Sequence, residues 1–347
     1  MKERVEFLIE EKKYHELKDI LSELNISDVA EILEDVKSQE LVKIFRFFKK
    51  DDAADVFSYF PVEIQTELVT LFTDKEAASL IDEMYADDAT DLLEEMPSNV
   101  VIRLLKNCSE ETRTQINKLL KYPDSSAGSI MTVEYAELKE DLTIEKTIAK
   151  LREEGEKYET VNTCFILDRK RKLVGYIKLQ DILFAKPNNL ISEIANKNLI
   201  YVHTLTDQEE VVQMFKKYDV TIMPVVDSEE RLVGIITIDD IVDIIEEEAT
   251  EDIEKMAAIS PTNKPYLKTG VIETWKARIV WLLLLMVSAI FTGKIINGFE
   301  SSLAACTALT AFIPMLMDTG GNAGGQVSVS VIRGISLNEI ELKDAFF

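Results

Sequence analysis

Glycine is absent from residues 1–122, and proline occurs there only at Pro61 and Pro97. A stretch without these two turn formers cannot be a hairpin-rich β domain, because tight hairpins lean on glycine and proline. Cysteine and histidine are scarce throughout. Cys108, Cys164 and Cys306 lie far apart with no CxxC, and His15 and His203 stand in unrelated segments. That spacing excludes a disulfide framework and a zinc motif, and leaves buried reduced thiols. No nucleophile–base pair, triad or P-loop is present, so no enzyme is expected. Basic residues are outnumbered: 39 Lys and Arg face 63 Asp and Glu, for a net charge of −24 over 347 residues. Such a chain repels phosphate, which argues against a nucleic-acid partner and suits a cation. A plain solvated acidic surface has the same composition, so position must decide. The first residues, Met1 to Tyr14, are charged and amphipathic and lack the apolar core of a signal peptide, so the N-terminal part is expected in the cytosol.

What is present divides by region. Residues 1–127 show apolar residues at helical spacing, as in Leu17, Ile20, Leu21 and Leu24. A loose repeat runs through Asp28-Val-Ala-Glu-Ile-Leu, Asp52-Ala-Ala-Asp-Val-Phe and Asp88-Ala-Thr-Asp-Leu-Leu, each opening on an acid that complements the helix dipole. Short helical repeats of this kind stack into a superhelical array, which predicts an all-α domain and offers a docking surface.

A clearer repeat follows Tyr122-Pro-Asp-Ser-Ser-Ala-Gly128. Thr163 to Asp168 is apolar strand, then Arg169 to Lys172 turn, then Leu173 to Asp181 with Gly175. Thr221 to Asp227, Ser228 to Arg231, and Leu232 to Asp240 with Gly234 repeat it at identical spacing. Helices are expected before each copy, at Ile144–Glu154 and Gln208–Tyr218. This is the β-β-α pattern of tandem CBS domains, an α/β module, assigned to residues 128–198 and 199–256.

Asp239 to Glu254 reads as a helix dense in acids. Asp240, Asp243, Glu247 and Glu251 share one face, where like charges repel unless cations or a basic partner intervene, and no compensating basic run is evident in the sequence. A connecting segment, 257–277, leads to two expected membrane spans at about 278–298 and 303–332, within a membrane part covering 278–347. Lys276 and Arg278 before the first span, Arg333 and Lys343 after the second, and Glu300 between them place both ends in the cytosol. Inside the second span, Asp318-Thr-Gly-Gly-Asn-Ala-Gly-Gly-Gln326 is polar and glycine-rich. Polar groups at membrane depth are usually functional, and glycines there free carbonyls toward a pore or permit tight packing. Asp318, Gly320, Gly321, Asn322 and Gly325 are the pore candidates, with Asp318 and Asn322 acting on a hydrated ion through water.

The order of these parts, with Tyr122-Pro-x-x-Ser-Ala-Gly128, Met131-Thr132, Glu248-Ala-Thr-Glu-Asp252, Gly298-Phe-Glu300 and Thr319-Gly-Gly-Asn-Ala-Gly-Gly-Gln326, resembles the MgtE family of magnesium channels and transporters. The resemblance implies a multi-pass plasma-membrane homodimer in the lipid bilayer, transporting Mg2+ and gated by Mg2+ bound between its cytosolic domains. It implies metal-binding acids at Asp55, Asp87, Asp91, Glu209, Asp219, Asp240, Asp243, Glu248, Glu251 and Asp252. It also implies a plug at Pro261–Lys276 that holds the pore closed. Members of that family carry further membrane helices, so a truncated product, a fragment or half of a split protein is expected. The alternative reading is a membrane-tethered CBS sensor of adenine nucleotides without transport. Gly234, Thr237 and Asp240 fit the nucleotide segment of the second copy. The first copy has Lys178 in the hydroxyl position and Thr163 where an aromatic residue is expected.

Overall fold

The computed structural model describes residues 2–261, 269–337, 340 and 343. The chain divides into two compact units, Met1–Ile241 and Val242–Phe347.

Ten helices open the first unit: α1 (Lys2–Glu10), α2 (Tyr14–Leu21), α3 (Ile26–Glu34), α4 (Ser38–Phe45), α5 (Lys50–Ser58), α6 (Val62–Leu71), α7 (Asp74–Ile81), α8 (Ala86–Glu94), α9 (Ser98–Asn107) and α10 (Glu110–Leu119). From α3 onward each helix packs on the one two places along, α3 on α5, α4 on α6, α5 on α7 and so on to α8 on α10. That pattern is the superhelical array the repeat predicts. Leu33, Leu41, Phe57, Leu68, Ile81, Leu92 and Leu104 are buried along its axis. Each such side chain contributes about 1.5–3 kcal/mol on burial, enough to hold helices this short that would not persist alone. Local caps differ between helices. Thr73 and Glu76 form a reciprocal capping box at α7, and Ser109 accepts from Thr112 at α10.

The rest of the first unit holds two three-stranded sheets, each with a parallel pair and then an antiparallel pair. In the first, β1 (Tyr135–Lys139) runs parallel to β2 (Thr160–Leu167), and β2 antiparallel to β3 (Leu173–Lys178), with α11 (Ile144–Glu154) between β1 and β2. After β3 come α12 (Leu179–Phe184) and α13 (Ile191–Ile194). The second sheet repeats the order with β4 (Val202–His203), α14 (Gln208–Tyr218), β5 (Ile222–Val226) and β6 (Leu232–Thr237). The two share an apolar core of Tyr135, Phe165, Leu167, Leu232 and Ile235.

The residues ahead of β1 belong physically to the second copy. Ala127 and Gly128 donate to the carbonyls of Thr206 and Thr204, and Thr132 exchanges both backbone hydrogen bonds with Ile235 at 2.9 Å. Gly128 is required there: a Cβ would sit 2.5 Å from the Tyr122 ring and 2.9 Å from the Thr204 carbonyl. The Tyr122-to-Gly128 motif is therefore a packing joint.

α15 (Ile238–Met256) starts in the first unit and continues into the second, which also holds α16 (Val271–Gly298), α17 (Glu300–Ala305) and α18 (Ala308–Ser336). Among the described residues only α16 is long and apolar enough to cross a membrane. α18 has the length, but its glycine-rich polar stretch dilutes the apolar run. That stretch is also continuous α-helix, so its carbonyls serve the helix ladder and are not splayed toward a pore. Asp318, Gly321, Asn322 and Gly325 fall at i, i+3, i+4 and i+7 and share one helical face, while Gly320 lies off it. A Cβ at Gly320, Gly321, Gly324 or Gly325 would meet nothing within 4 Å. Of the expected plug, residues 262–268 lie outside the described residues. Residues from Val271 on are already α16 and form no separate helix.

Candidate cation-binding interface

α8 starts without a cap of its own. Tyr85 stands at the N-cap in extended backbone and its side chain accepts nothing from the first turn. The first turn carries Asp87 and Asp88, which the helix dipole favours. Against it lie residues of the CBS module. Glu134 follows directly on Thr132, whose backbone pairs with β6. Its carboxylate accepts from the Thr132 hydroxyl at 2.8 Å and from the Val133 N–H at 3.1 Å. The Glu134 carbonyl accepts from the Glu159 N–H at 2.8 Å, which fixes Glu159 beside it. Asp239 and Asp240 come from the first turn of α15, and the Thr237 hydroxyl donates to Asp240 Oδ2 at 2.7 Å.

The outcome is a concentration of negative charge away from bulk water. Burial, then Asp88, Asp240, Glu134 and Glu159, hold the Asp87 carboxyl well above the usual range. Burial and then Asp240, Asp239, Asp55 and Glu134 push Asp88 up to about 6. Burial and then Asp240, Asp239, Asp88 and Glu134 push Glu159 up to about 7. Burial raises even Glu134, against the hydrogen bonds that favour its charged form. Tyr85, at the same spot, is pushed up to about 12 by burial and then by Glu159 and Asp55. Asp87 keeps some exposed surface, yet its Oδ1 is fully buried with no hydrogen-bond partner. Almost all buried polar atoms find a partner, so an orphan oxygen marks a place where something is missing.

The expected acids are not all brought together. Asp87 and Asp240 meet in this cluster. Asp55 is exposed on α5 but near enough to act on Asp88, and its own carboxyl is raised by burial and then by Asp52 and Asp51. Asp91 is exposed one turn along α8. Glu209 lies in the first turn of α14, and Asp219 caps its other end in left-handed backbone, φ 51°. Asp243, Glu248, Glu251 and Asp252 belong to the second unit. Two of them have the basic neighbours that the sequence did not reveal: Glu251 pairs with Lys255 at 2.5 Å, and Asp252 with Arg333 at 3.6 Å. Glu247 is raised by burial and then by Asp243 and Glu248. Among the described residues, no three His, Cys, Asp or Glu side chains stand close enough to hold an ion directly.

Sequence reading missed Asp88, Glu134, Glu159 and Asp239 as members of the cluster. Glu134 had a local signal, since it follows the Met131-Thr132 motif. Glu159 had none.

Thr237 is buried against Asp240. The cleft between the two sheets lies elsewhere, lined by Thr163, Tyr176, Lys178, Asn198, Asp219 and Thr221 among others. The nucleotide candidates Thr237 and Asp240 are not in its lining.

Residues 24–125 match the family model described as the MgtE intracellular N domain, and residues 127–188 and 191–247 match the CBS domain. The magnesium transporter MgtE of Thermus thermophilus is 40% identical over 242 residues, 70% of this chain and 54% of the relative. The chain therefore spans about half the length of that curated relative. A solved structure of the soluble part of a magnesium transporter superposes with a TM-score of 0.68 at 28% identity, over 72% of this chain and 98% of that one. The cytosolic domain of the Mg2+ channel MgtE in complex with ATP superposes with a TM-score of 0.67 at 30% identity, over 70% of this chain and all of that one. With the helical N domain and the CBS pair both matched, and a solved MgtE cytosolic domain covered end to end, the chain belongs to the MgtE family.

Proposed function

We propose that this chain serves Mg2+ transport across the plasma membrane, with its cytosolic part sensing Mg2+ and gating the path. The carrying observation is the buried, unpartnered Asp87 Oδ1 facing acids of the CBS module. Docking α8 against Glu134, Glu159 and Asp240 concentrates like charge, which opposes docking until a cation supplies the opposite sign. A cation that binds the docked arrangement better than the open one shifts the population toward it. The acids are too dispersed for a dehydrated ion, and Mg2+ habitually keeps several waters and takes one or two carboxylates. The metal acids Asp55, Asp91, Glu209, Asp219, Asp243, Glu248, Glu251 and Asp252 belong to the same proposal, as further contributors to the cation-bound state. So do the homodimer, the multi-pass topology and the pore-side roles of Asp318 and Asn322.

The test uses the full chain in lipid nanodiscs. Mg2+ is titrated at constant ionic strength, with K+ as control, while amide exchange is followed over Ala86–Thr90 and the segment 122–134. Protection that rises with Mg2+ and not with K+ supports the reading. An equal response to K+ reduces the acids to a solvated surface.

A second reading rests on the cleft. Lys178 offers a cation to an anionic group there, and the solved relative is a complex with ATP. A nucleotide sensor predicts ATP-dependent protection around Lys178 in the absence of Mg2+ effects at α8.

A further inference from the structure

The cleft of the CBS module has Thr163 where an aromatic residue is expected, yet one of its walls is aromatic. Tyr176 lines it beside Thr163, Phe165 and Lys178. In the β2–β3 pair, Thr163 stands opposite Lys178 and Phe165 opposite Tyr176. Phe165 is buried in the apolar core that the two sheets share, and the half-buried Tyr176 packs against that core. The Tyr176 ring is thus backed by the core and open toward the cleft. Asn196 holds it there. The two backbones exchange hydrogen bonds at 3.0 and 2.9 Å, and Asn196 Nδ2 donates to the Tyr176 hydroxyl at 2.8 Å. Asn196 Oδ1 accepts from the N–H of Asn198, another residue of the cleft wall, at 2.9 Å. A ring fixed in this way loses little freedom when a ligand arrives.

We infer that Tyr176, positioned by Asn196, is the surface on which this cleft stacks the base of a nucleotide, one strand over from the position where the aromatic residue is expected. Tyr176 and Lys178 are two residues apart on β3, so their side chains share a face about 7 Å apart. A nucleotide spans such a distance from base to phosphate. Lys178 takes the phosphates, and Asp219, also in the lining, repels them and so keeps them at the Lys178 end. The inference rests on the nucleotide reading of the cleft and names the residue that makes it work.

The test compares two probes on the full chain in lipid nanodiscs, by calorimetric titration in EDTA. ATP carries ring and charge, and inorganic tripolyphosphate carries charge alone. Tyr176→Leu keeps an apolar side chain on the core and removes the ring. It should weaken ATP roughly 5- to 100-fold, the range for a lost stacking partner, and leave tripolyphosphate unchanged. Tyr176→Phe keeps the ring and should lose far less. Lys178→Gln should weaken both probes. Asn196→Ala should weaken ATP alone, and by less when Tyr176→Phe has already removed the hydroxyl it holds. ATP bound equally well by the Tyr176→Leu chain, or both probes weakened alike, overturns the role of the ring and leaves the nucleotide reading standing. An Asn196→Ala loss undiminished in the Tyr176→Phe background overturns the positioning. No ATP binding by the unaltered chain overturns the nucleotide reading and this assignment together.

Discussion

The two acid-rich regions of this molecule look alike in sequence and differ in physics. At α8, Asp87, Asp88, Glu134 and Glu159 lie near one another and near Asp240, and burial raises the carboxyls of the first four. Along α15 in the second unit, Glu251 and Asp252 meet Lys255 and Arg333. Acid density is therefore a poor guide to stored repulsion. What matters is how far the fold removes the charges from water. A cation sensor needs the first kind of region, because only there does an added cation change the balance between docked and open states.

The sharpest way to break the contrast is Asp87→Asn. It replaces the orphan carboxylate by a neutral side chain able to donate to the neighbouring acids. The docked state should then form without divalent cation, and the Mg2+ midpoint for amide protection should shift by roughly tenfold or the response vanish. An unchanged midpoint would remove Asp87 from the sensor.

Acid should act next, and less strongly. The charged groups facing Asp88 and Glu159 are Asp55, Asp87, Glu134, Asp239 and Asp240, with Tyr85 alongside. Asp88 and Glu159, raised to about 6 and about 7, bind protons in the docked state that they release when it opens. Docking without Mg2+ should thus strengthen as pH falls from 8 toward 5, and this contribution should stop growing near pH 4, where the open-state carboxylates titrate too. Exchange measured across that range checks it, and Glu159→Gln should flatten the upper part of the curve. Docking that weakens on mild acidification would contradict the assignment of raised carboxyls.

The smallest effect is expected on the other side of the comparison. Asp252→Asn breaks a 3.6 Å pair with an arginine that is half exposed. The pair is separate from the α8 cluster, so the Mg2+ midpoint at α8 should hardly move. A large shift would show that the α15 acids also store repulsion.

Much of the architecture was legible from local pattern. The helices Ile144–Glu154 and Gln208–Tyr218 stand at the bounds that the repeat implies, and a region without glycine is helical throughout. Periodicity encodes such elements within a few turns of chain. The acidic face of α15 was legible in the same way, but its neutralisation was not, since Arg333 lies far along the chain from Asp252. The glycine-rich stretch of α18 left two readings open in sequence, freed carbonyls or tight helix packing, and the structure shows continuous helix. Glycine permits unwound backbone but does not demand it, and the surrounding apolar residues carry the helix through.

By itself, the sequence determined the helical array, the paired β-β-α copies, the apolar helix α16 and a large excess of acid, because each is written in residues close along the chain. Only the tertiary structure decided which acids meet. Glu134 comes near enough to act on Asp87 because Thr132 pairs with Ile235, and Glu159 stands beside it because its N–H finds the Glu134 carbonyl. Electrostatic energy depends on distance and burial, neither of which the order of residues specifies until the chain has folded.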